Sequence, residues 1–303
     1  MEGFERIDII HTTFKHPFTM IVSGSTGSGK SEWVKNFLNN LSEMVSGDKT
    51  ISLVFYCYGE LNKNILQMQR SGFVDKRQTR VIVHNGLPNG GEDFIHKQAI
   101  QSGGSLLLIL DDLMVGIDQR LLDTVFTRGS HNWGVSVILI TQHLFSKELR
   151  IPRNNSHYLL LMRNPAGALQ IRTLATQLFP SRTKYFLEAY ANATKETFGY
   201  LLVDVHPSTP ELLRLRTHIY QTSEEQLLCL VEICLNLLKG RLPFHRNRIN
   251  NLQNQAALLR KISRTRSASS ARRLLIQKGG GFPPVAGLLA SIAFPLIVEY
   301  LAK

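Results

Sequence analysis

The hydrophobic positions of this chain form two alternating patterns: short continuous apolar runs, and longer segments with apolar residues every three or four positions. Runs rich in Val, Ile, Leu, Phe and Tyr are typical of strands that are buried on both faces. They predict strands over residues 18–22, 51–58, 80–85, 105–112, 135–142, 157–162 and 198–205. The spaced segments predict helices over residues 30–42, 61–70, 92–102, 118–128, 167–178 and 181–193. The alternation predicts an α/β fold around a mostly parallel sheet.

A glycine-rich stretch, SGSTGSGKSEW, joins the first predicted strand to the first predicted helix. It matches the pattern G-x-x-x-x-G-K-[ST], in which backbone N–H groups surround phosphate oxygens at a helix N-terminus. The matching residues are Gly24, Ser25, Thr26, Gly27, Ser28, Gly29, Lys30 and Ser31. The glycines permit positive φ and close approach of the backbone to a ligand. Lys30 is predicted to reach the β- and γ-phosphates and Ser31 to hold Mg²⁺, so the stretch predicts a nucleotide site.

A pair of carboxylates, Asp111 and Asp112, ends the apolar run of residues 105–112. The carboxyl ends of the strands form the ligand-binding edge of open α/β sheets, so both acids are predicted to face the phosphates. Asp111 is the predicted Mg²⁺ ligand beside Ser31, and Asp112 is predicted to polarise the attacking water. The alternative for such a pair is a helix N-cap or a solvated turn.

Two predicted strands, residues 51–58 and 80–85, separate the glycine-rich stretch from the acidic strand. This insertion resembles the additional-strand class of P-loop ATPases, in which a polar residue at the end of the next strand senses the γ-phosphate. Gln142 occupies that position here. The alternative role of the Gln142 amide is to form hydrogen bonds with backbone groups at the strand end.

The net charge of +12 is distributed unevenly along the 303 residues. Residues 1–238 contain 23 Lys and Arg against 22 Asp and Glu, whereas residues 239–303 contain 12 against the single Glu299. We therefore predict an ATPase domain over residues 1–238 and a basic helical tail over residues 239–281. The tail predicts an anionic partner, for which nucleic acid is favoured over a merely solubilising arm. A nuclear-targeting role for the same residues is compatible with this interpretation.

The last segment, residues 282–303, is apolar and follows three glycines. Its 17 uncharged residues from Phe282 to Val298 include three prolines and stand at the short limit for a membrane span. A helix that docks on a partner, lies in a membrane interface or packs on the predicted ATPase domain is equally consistent with this pattern. Membrane contact is therefore an open alternative for this segment, and spanning is not the favoured one.

Cysteine usage and the start of the chain bear on the compartment. Cys57, Cys229 and Cys234 form no C-x-x-C pair, which predicts a reduced environment with each cysteine in the core. The first ten residues contain acids and lack the apolar centre of a secretory signal. We expect a protein of the nucleus or cytoplasm of an infected or host cell, or of a virion, and not a secreted one.

Several stretches together resemble the FtsK–HerA superfamily, particularly the DNA-packaging ATPases of double-stranded DNA viruses and virus-derived mobile elements. They are HPFTMIVSGSTGSGKS, LLLILDD, FTRGSHNWGVSVILITQHLF, HYLLLMRNP and QIRTLATQLFP, and the resemblance covers residues 10–220. It implies a RecA-like core, a homo-oligomeric ring and ATP-driven movement of double-stranded DNA through the ring. It also implies that the phosphate-loop residues, Asp111 and Gln142 keep the roles that they have in the family. Asp112 departs from the Glu that is more usual at the catalytic position.

A ring ATPase needs a cation that reaches the γ-phosphate of the neighbouring subunit, because an arginine finger stabilises the charge that develops during phosphoryl transfer. Arg128, between the acidic strand and the strand that ends at Gln142, is the first candidate. Arg150, Arg153 and Arg163 are the alternatives, and an ordinary surface salt bridge is the competing role for each.

Three classes of function remain in competition. An ATP-driven DNA translocase, with ATP and Mg²⁺ as cofactors, accounts for the phosphate loop, the acids, Gln142 and the basic tail together. A small-molecule (nucleoside or nucleotide) kinase accounts for the loop alone, and no lid module is evident. A nucleic-acid-binding structural protein with a degenerate ATPase accounts for the tail. A GTP-dependent switch is not supported, because the chain's only Asn-Lys pair, Asn62-Lys63, is not followed by the Asp that would recognise guanine. The sequence thus favours a genome-packaging translocase with duplex DNA as partner and a capsid protein as a further candidate.

Overall fold

A computed structural model describes residues 13–113, 118–209, 214–217 and 264 of the chain. Thr13–Thr217 form one compact unit. The predicted boundary near residue 238, the basic tail except for Arg264, and the apolar segment of residues 282–303 lie outside the described residues. Within the described part, no helix combines the length and the apolar character that crossing a membrane requires.

Strands and helices alternate along the unit as the hydrophobic pattern predicts. The strands are β1 (Phe14–Lys15), β2 (Thr19–Ser23), β3 (Val45–Ser46), β4 (Leu53–Tyr58), β5 (Phe73–Val74), β6 (Thr79–Asn85), β7 (Leu106–Asp111), β8 (Val135–Thr141), β9 (Tyr158–Met162), β10 (Tyr200–Asp204) and β11 (Leu215–Arg216). The α-helices are α1 (Lys30–Asn39), α2 (Leu41–Met44), α3 (Lys63–Ser71), α4 (Gly91–Gln101), α5 (Gln119–Thr124), α6 (Ser130–Asn132), α7 (Arg150–Asn154), α8 (Ala168–Leu178) and α9 (Thr183–Ala193). A π-helical turn (Val125–Gly129) continues α5, and 3₁₀ turns cover Lys147–Leu149, Pro165–Gly167 and Pro180–Arg182.

Nine strands of the described part form the main sheet, in the order β11-β10-β9-β2-β8-β7-β4-β6-β5. Every neighbouring pair from β9 to β6 is parallel, which confirms the mostly parallel sheet. The strands β10, β11 and β5 extend the two edges in antiparallel orientation, and β1 pairs with β3 separately. The parallel centre explains the continuous apolar runs, because every residue of β2, β7, β8 and β9 is buried, on both faces of the sheet.

Strand β8 lies between β2, which leads into the phosphate loop, and β7, which ends at Asp111. This insertion of one strand between the two motif-bearing strands confirms the RecA-like, additional-strand architecture, but the inserted strand is β8 and neither of the two runs, residues 51–58 and 80–85, to which the sequence pattern assigned it. Strands β4 and β6, which come between the two motifs in the sequence, lie on the far side of β7. The parallel arrangement brings the carboxyl ends of β2, β8, β7 and β4 to one edge of the sheet.

An aromatic cluster holds α1 against the sheet. Trp33 stacks on Phe37 with ring centroids 5.5 Å apart, and Phe14 contacts both rings. These side chains are buried, and full burial of a side chain of this kind stabilises the fold by about 1.5–3 kcal/mol. Because the phosphate loop runs directly into α1, this packing also fixes the direction of the loop.

Two predicted helices differ in detail from those of the structure. The helix predicted over residues 30–42 ends at Asn39, and a separate short helix follows from Leu41 to Met44. The helix predicted over residues 118–128 changes at Val125 into the π-helical turn that carries Arg128. The apolar spacing is the same in both cases, so the pattern alone does not reveal the change of hydrogen bonding.

Candidate active site

The phosphate loop uses its glycines in two ways. Gly27 and Gly29 have φ of 75° and 99°, in the left-handed region that glycine adopts without steric cost. Gly24 is needed for space instead: a Cβ there would lie 2.5 Å from Ser28 Oγ and 2.8 Å from Met162 Cβ. The prediction of positive φ therefore applies to Gly27 and Gly29 but not to Gly24.

The tips of the two strands beside β2 anchor the loop. Gly24 N donates to the Thr141 carbonyl at 3.4 Å, and the backbone N and the hydroxyl of Ser25 donate to the Arg163 carbonyl at 3.3 and 3.0 Å. Thr26 donates through Oγ1 to Oε1 of Gln142 at 3.1 Å. Gln142 thus lies beside the loop, at the end of β8 as predicted. These bonds preorganise the loop, because its backbone is held from both sides.

Lys30 lies at the start of α1 with its ammonium turned onto the loop. Its Nζ donates to the carbonyl oxygens of Gly24 and Ser25, at 2.8 and 2.9 Å. Partial burial lowers the pKa of Lys30, and the carboxylates of Asp111 and Asp112 oppose that shift. The ammonium is therefore held on the loop whose backbone N–H groups the motif assigns to phosphate binding.

Asp111 is buried at the end of β7 and is bound by a side chain from the neighbouring strand. The Tyr56 hydroxyl donates to Oδ2 of Asp111 at 2.6 Å. Burial raises the pKa of Asp111, whereas the hydrogen bond from Tyr56 lowers it. The hydrogen bond involves Oδ2, and Oδ1 can serve as a ligand to Mg²⁺ directly or through a water molecule.

Asp112 is exposed and has a left-handed backbone with φ of 55°. The turn after β4 packs against it: Gly59 N donates to the Asp111 carbonyl at 2.9 Å, and a side chain at Gly59 would collide with the Asp112 carbonyl. The next residue, Glu60, lines the same cavity as Asp112 at this edge of the sheet. Sequence reasoning missed Glu60. Its signal was a carboxylate shortly after an apolar run, the pattern that identified Asp111 and Asp112.

A cavity of about 350 Å³ joins these groups. It is lined by Thr26, Gly27, Gly29, Lys30, Ser31, Glu32, Glu60, Leu61, Asn62, Asp111, Asp112, Ile140, Thr141, Gln142 and Phe198. The lining includes four carboxylates and one cation, Lys30, among the described residues. An anionic nucleotide in this cavity needs further positive charge. The oxygens of Ser31 and Asp111 both line it, and they are of the kind that Mg²⁺ prefers.

The candidate arginines lie outside this lining. Arg128 pairs with Glu92, with Nη2 and Oε1 3.3 Å apart, and its side chain is 60% exposed. Arg153 donates to the Leu144 carbonyl at 3.1 Å and lies over the Phe145 ring. Arg150 and Arg163 are exposed. No arginine of the described residues thus lines the cavity of its own chain, and Arg153 is held by contacts inside its own subunit.

The strand order and the loop geometry together define the fold as that of a P-loop NTPase with a RecA-like core. Among solved structures, a KaiC-like protein from the hyperthermophilic archaeon Pyrococcus horikoshii matches over 50% of this chain and 74% of its own, with 15% identity and a TM-score of 0.35. The cytoplasmic domain of EssC matches over 75% of this chain and 46% of its own, with 13% identity and a TM-score of 0.37. No protein-family model and no curated protein matches the chain. At this distance, the class rests on the chain's own topology and loop.

Proposed function

We propose that this chain hydrolyses ATP and uses the free energy to move double-stranded DNA, as a genome-packaging translocase of a viral or virus-derived element. The observation that carries the ATPase part is the single cavity that joins the phosphate loop, Asp111, Asp112 and Gln142. A loop that only connected a strand to a helix would not need this set of polar groups at one edge of the sheet.

Each polar group of the cavity has a distinct role in this proposal. The loop backbone and Lys30 bind the phosphates, and Ser31 and Asp111 hold Mg²⁺, which offsets the charge of the phosphates. Asp112 or Glu60 orients the attacking water, since both carboxylates line the same cavity as Asp111. Gln142, bound to the loop through Thr26, responds to the presence of the γ-phosphate.

The charge of the cavity supports assembly into a homo-oligomeric ring. Four carboxylates and one lysine line the described part of the cavity, while phosphoryl transfer adds negative charge to the site. A cation from a neighbouring subunit would stabilise that charge. Arg128 fits this role because it is exposed on the π-helical turn, and its contacts are a surface ion pair with Glu92, which is weak, and a long hydrogen bond of 3.5 Å to Thr124 Oγ1.

The DNA part of the proposal rests on the sequence. The resemblance to packaging ATPases supports a duplex DNA substrate, and the 12 cations against one acid in residues 239–303 support contact with phosphates. A capsid protein is a further proposed partner. An anionic membrane surface is the alternative partner for the same charge.

The test is the ATPase rate of the full chain with and without duplex DNA, together with the assembly size in MgATP. Lys30→Ala is the matched control, since it removes the cation of the loop. We expect hydrolysis that duplex DNA stimulates, in a ring-sized assembly, and no hydrolysis by the variant. Phosphoryl transfer to a small acceptor without DNA stimulation would indicate a kinase. DNA binding without hydrolysis would indicate a structural protein.

A further inference from the structure

Phe198 occupies an unusual position for a large apolar residue. It lies in the connection between α9 and β10 with φ of 63°, in the left-handed region that bulky residues rarely adopt. The residue is 57% exposed, although most phenylalanines of the described part are buried. An exposed aromatic ring on such a backbone costs stability, and this combination points to a function.

The ring of Phe198 lies directly against the phosphate loop. A Cβ at Gly29 would collide with the ring, so the glycine of the motif also makes room for this contact. Phe198 is the aromatic residue in the described lining of the cavity, and more than half of its surface is exposed.

The strand order separates the two ends of the cavity. Phe198 precedes β10, which lies beyond β9 on one side of β2, whereas Asp111 and Glu60 follow β7 and β4 on the other side. The phosphate loop lies between them. A nucleotide with its γ-phosphate at the acidic end extends its base toward the opposite end.

We propose that Phe198 is the platform on which the nucleotide base stacks. This inference rests on the proposed ATP site and adds its base-binding subsite. An aromatic ring offers its π face to any base, so the platform supplies affinity, while hydrogen bonds from other groups would distinguish one base from another.

The experiment compares two ligands that share the phosphate chain and differ in the base. Affinities of Mg²⁺-ATP and of Mg²⁺ inorganic triphosphate are measured for the full-length wild type, Phe198→Ala and Phe198→Trp. Phe73→Ala is the control, since Phe73 is similarly exposed but lies on the edge strand β5. Thermal unfolding of each variant checks that it is folded.

We expect Phe198→Ala to weaken ATP binding roughly 5-fold to 150-fold, the usual range for removing one stacked aromatic ring. Its triphosphate affinity should equal that of the wild type. Phe198→Trp should bind ATP about as tightly as the wild type does. The fluorescence of the new indole should change when ATP binds but not when triphosphate binds. Phe73→Ala should bind both ligands as the wild type does.

Two outcomes would overturn the platform while the ATP site stands. If Phe198→Ala loses ATP and triphosphate affinity equally, the ring acts only by packing on Gly29. If ATP affinity is unchanged, the base binds elsewhere. A folded wild-type chain that binds neither ligand would contradict the ATP site itself, and the platform with it.

Discussion

Tyr56 on β4 donates a 2.6 Å hydrogen bond to Asp111 at the end of the neighbouring strand β7. The bond opposes the effect of burial on this acid: burial raises the pKa of Asp111, and the hydroxyl lowers it by stabilising the carboxylate. Since a carboxyl group binds Mg²⁺ in its deprotonated form, Tyr56 extends the pH range in which Asp111 can act as a ligand.

Tyr56→Phe should therefore shift the pH dependence of Mg²⁺-ATP binding. Binding is lost as the pH falls through the pKa of Asp111, and removing the donor raises that pKa, so the loss should occur at a higher pH. A hydrogen bond to a charged group contributes about 1.5–3 kcal/mol, which corresponds to a shift of roughly one pH unit or more. Affinities measured between acid and neutral pH test this. Tyr158→Phe, remote from Asp111 on β9, is the control, and a profile identical to the wild type would limit Tyr56 to packing.

The acids of the cavity should separate by phenotype. Asp111→Asn should lose Mg²⁺-dependent nucleotide binding, because it removes the charge that holds the metal. A variant that lacks the carboxylate orienting the attacking water should still bind MgATP, but it should hydrolyse ATP about 10²–10⁴-fold more slowly than the wild type. Asp112→Asn and Glu60→Gln, measured side by side, identify that residue. Normal turnover in both variants would show that neither carboxylate is the base.

Arg128 should act on the neighbouring subunit. A finger supplied from outside is worth ~10³-fold or more in rate, so adding Arg128→Ala subunits to wild type should reduce activity by more than their fraction. Arg80→Ala, an exposed arginine on β6, is the control and should leave activity unchanged. A loss strictly proportional to the Arg128→Ala fraction would assign Arg128 to its surface pair with Glu92. Arg150 and Arg163 would then be tested, since Arg153 is bound within its own subunit.

The basic tail should carry most of the salt-sensitive DNA affinity. Replacing Arg260, Arg264, Arg266, Arg272 and Arg273 by Gln should flatten the slope of log affinity against log salt, by about 0.9 for each duplex phosphate that the tail no longer neutralises. The basal ATPase rate should not change, because the residues that line the cavity lie between Thr26 and Phe198, outside the tail. A salt titration of DNA binding tests this. An unchanged slope would direct attention to a membrane surface or an acidic capsid protein.

The sequence located the elements of this fold because their signals are local. Continuous apolar runs predicted the seven longer strands within a few residues, from the strand before the phosphate loop to β10. The phosphate loop was likewise recognisable, since its chemistry lies in eight consecutive residues between a strand and a helix. The short strands β1, β3, β5 and β11 were not predicted, because two residues carry no periodicity.

By itself, the sequence thus determined the α/β class, the phosphate loop and the acids at the end of β7. Only the tertiary structure decided which distant residues join them: Tyr56 bound to Asp111, Glu60 in one cavity with Asp112, and Phe198 against Gly29. These contacts depend on strand order and on the antiparallel direction of β10, both set by pairing between segments far apart in the chain. Hydrophobic patterning fixes which face of an element is buried, but it does not specify the neighbour that the element pairs with.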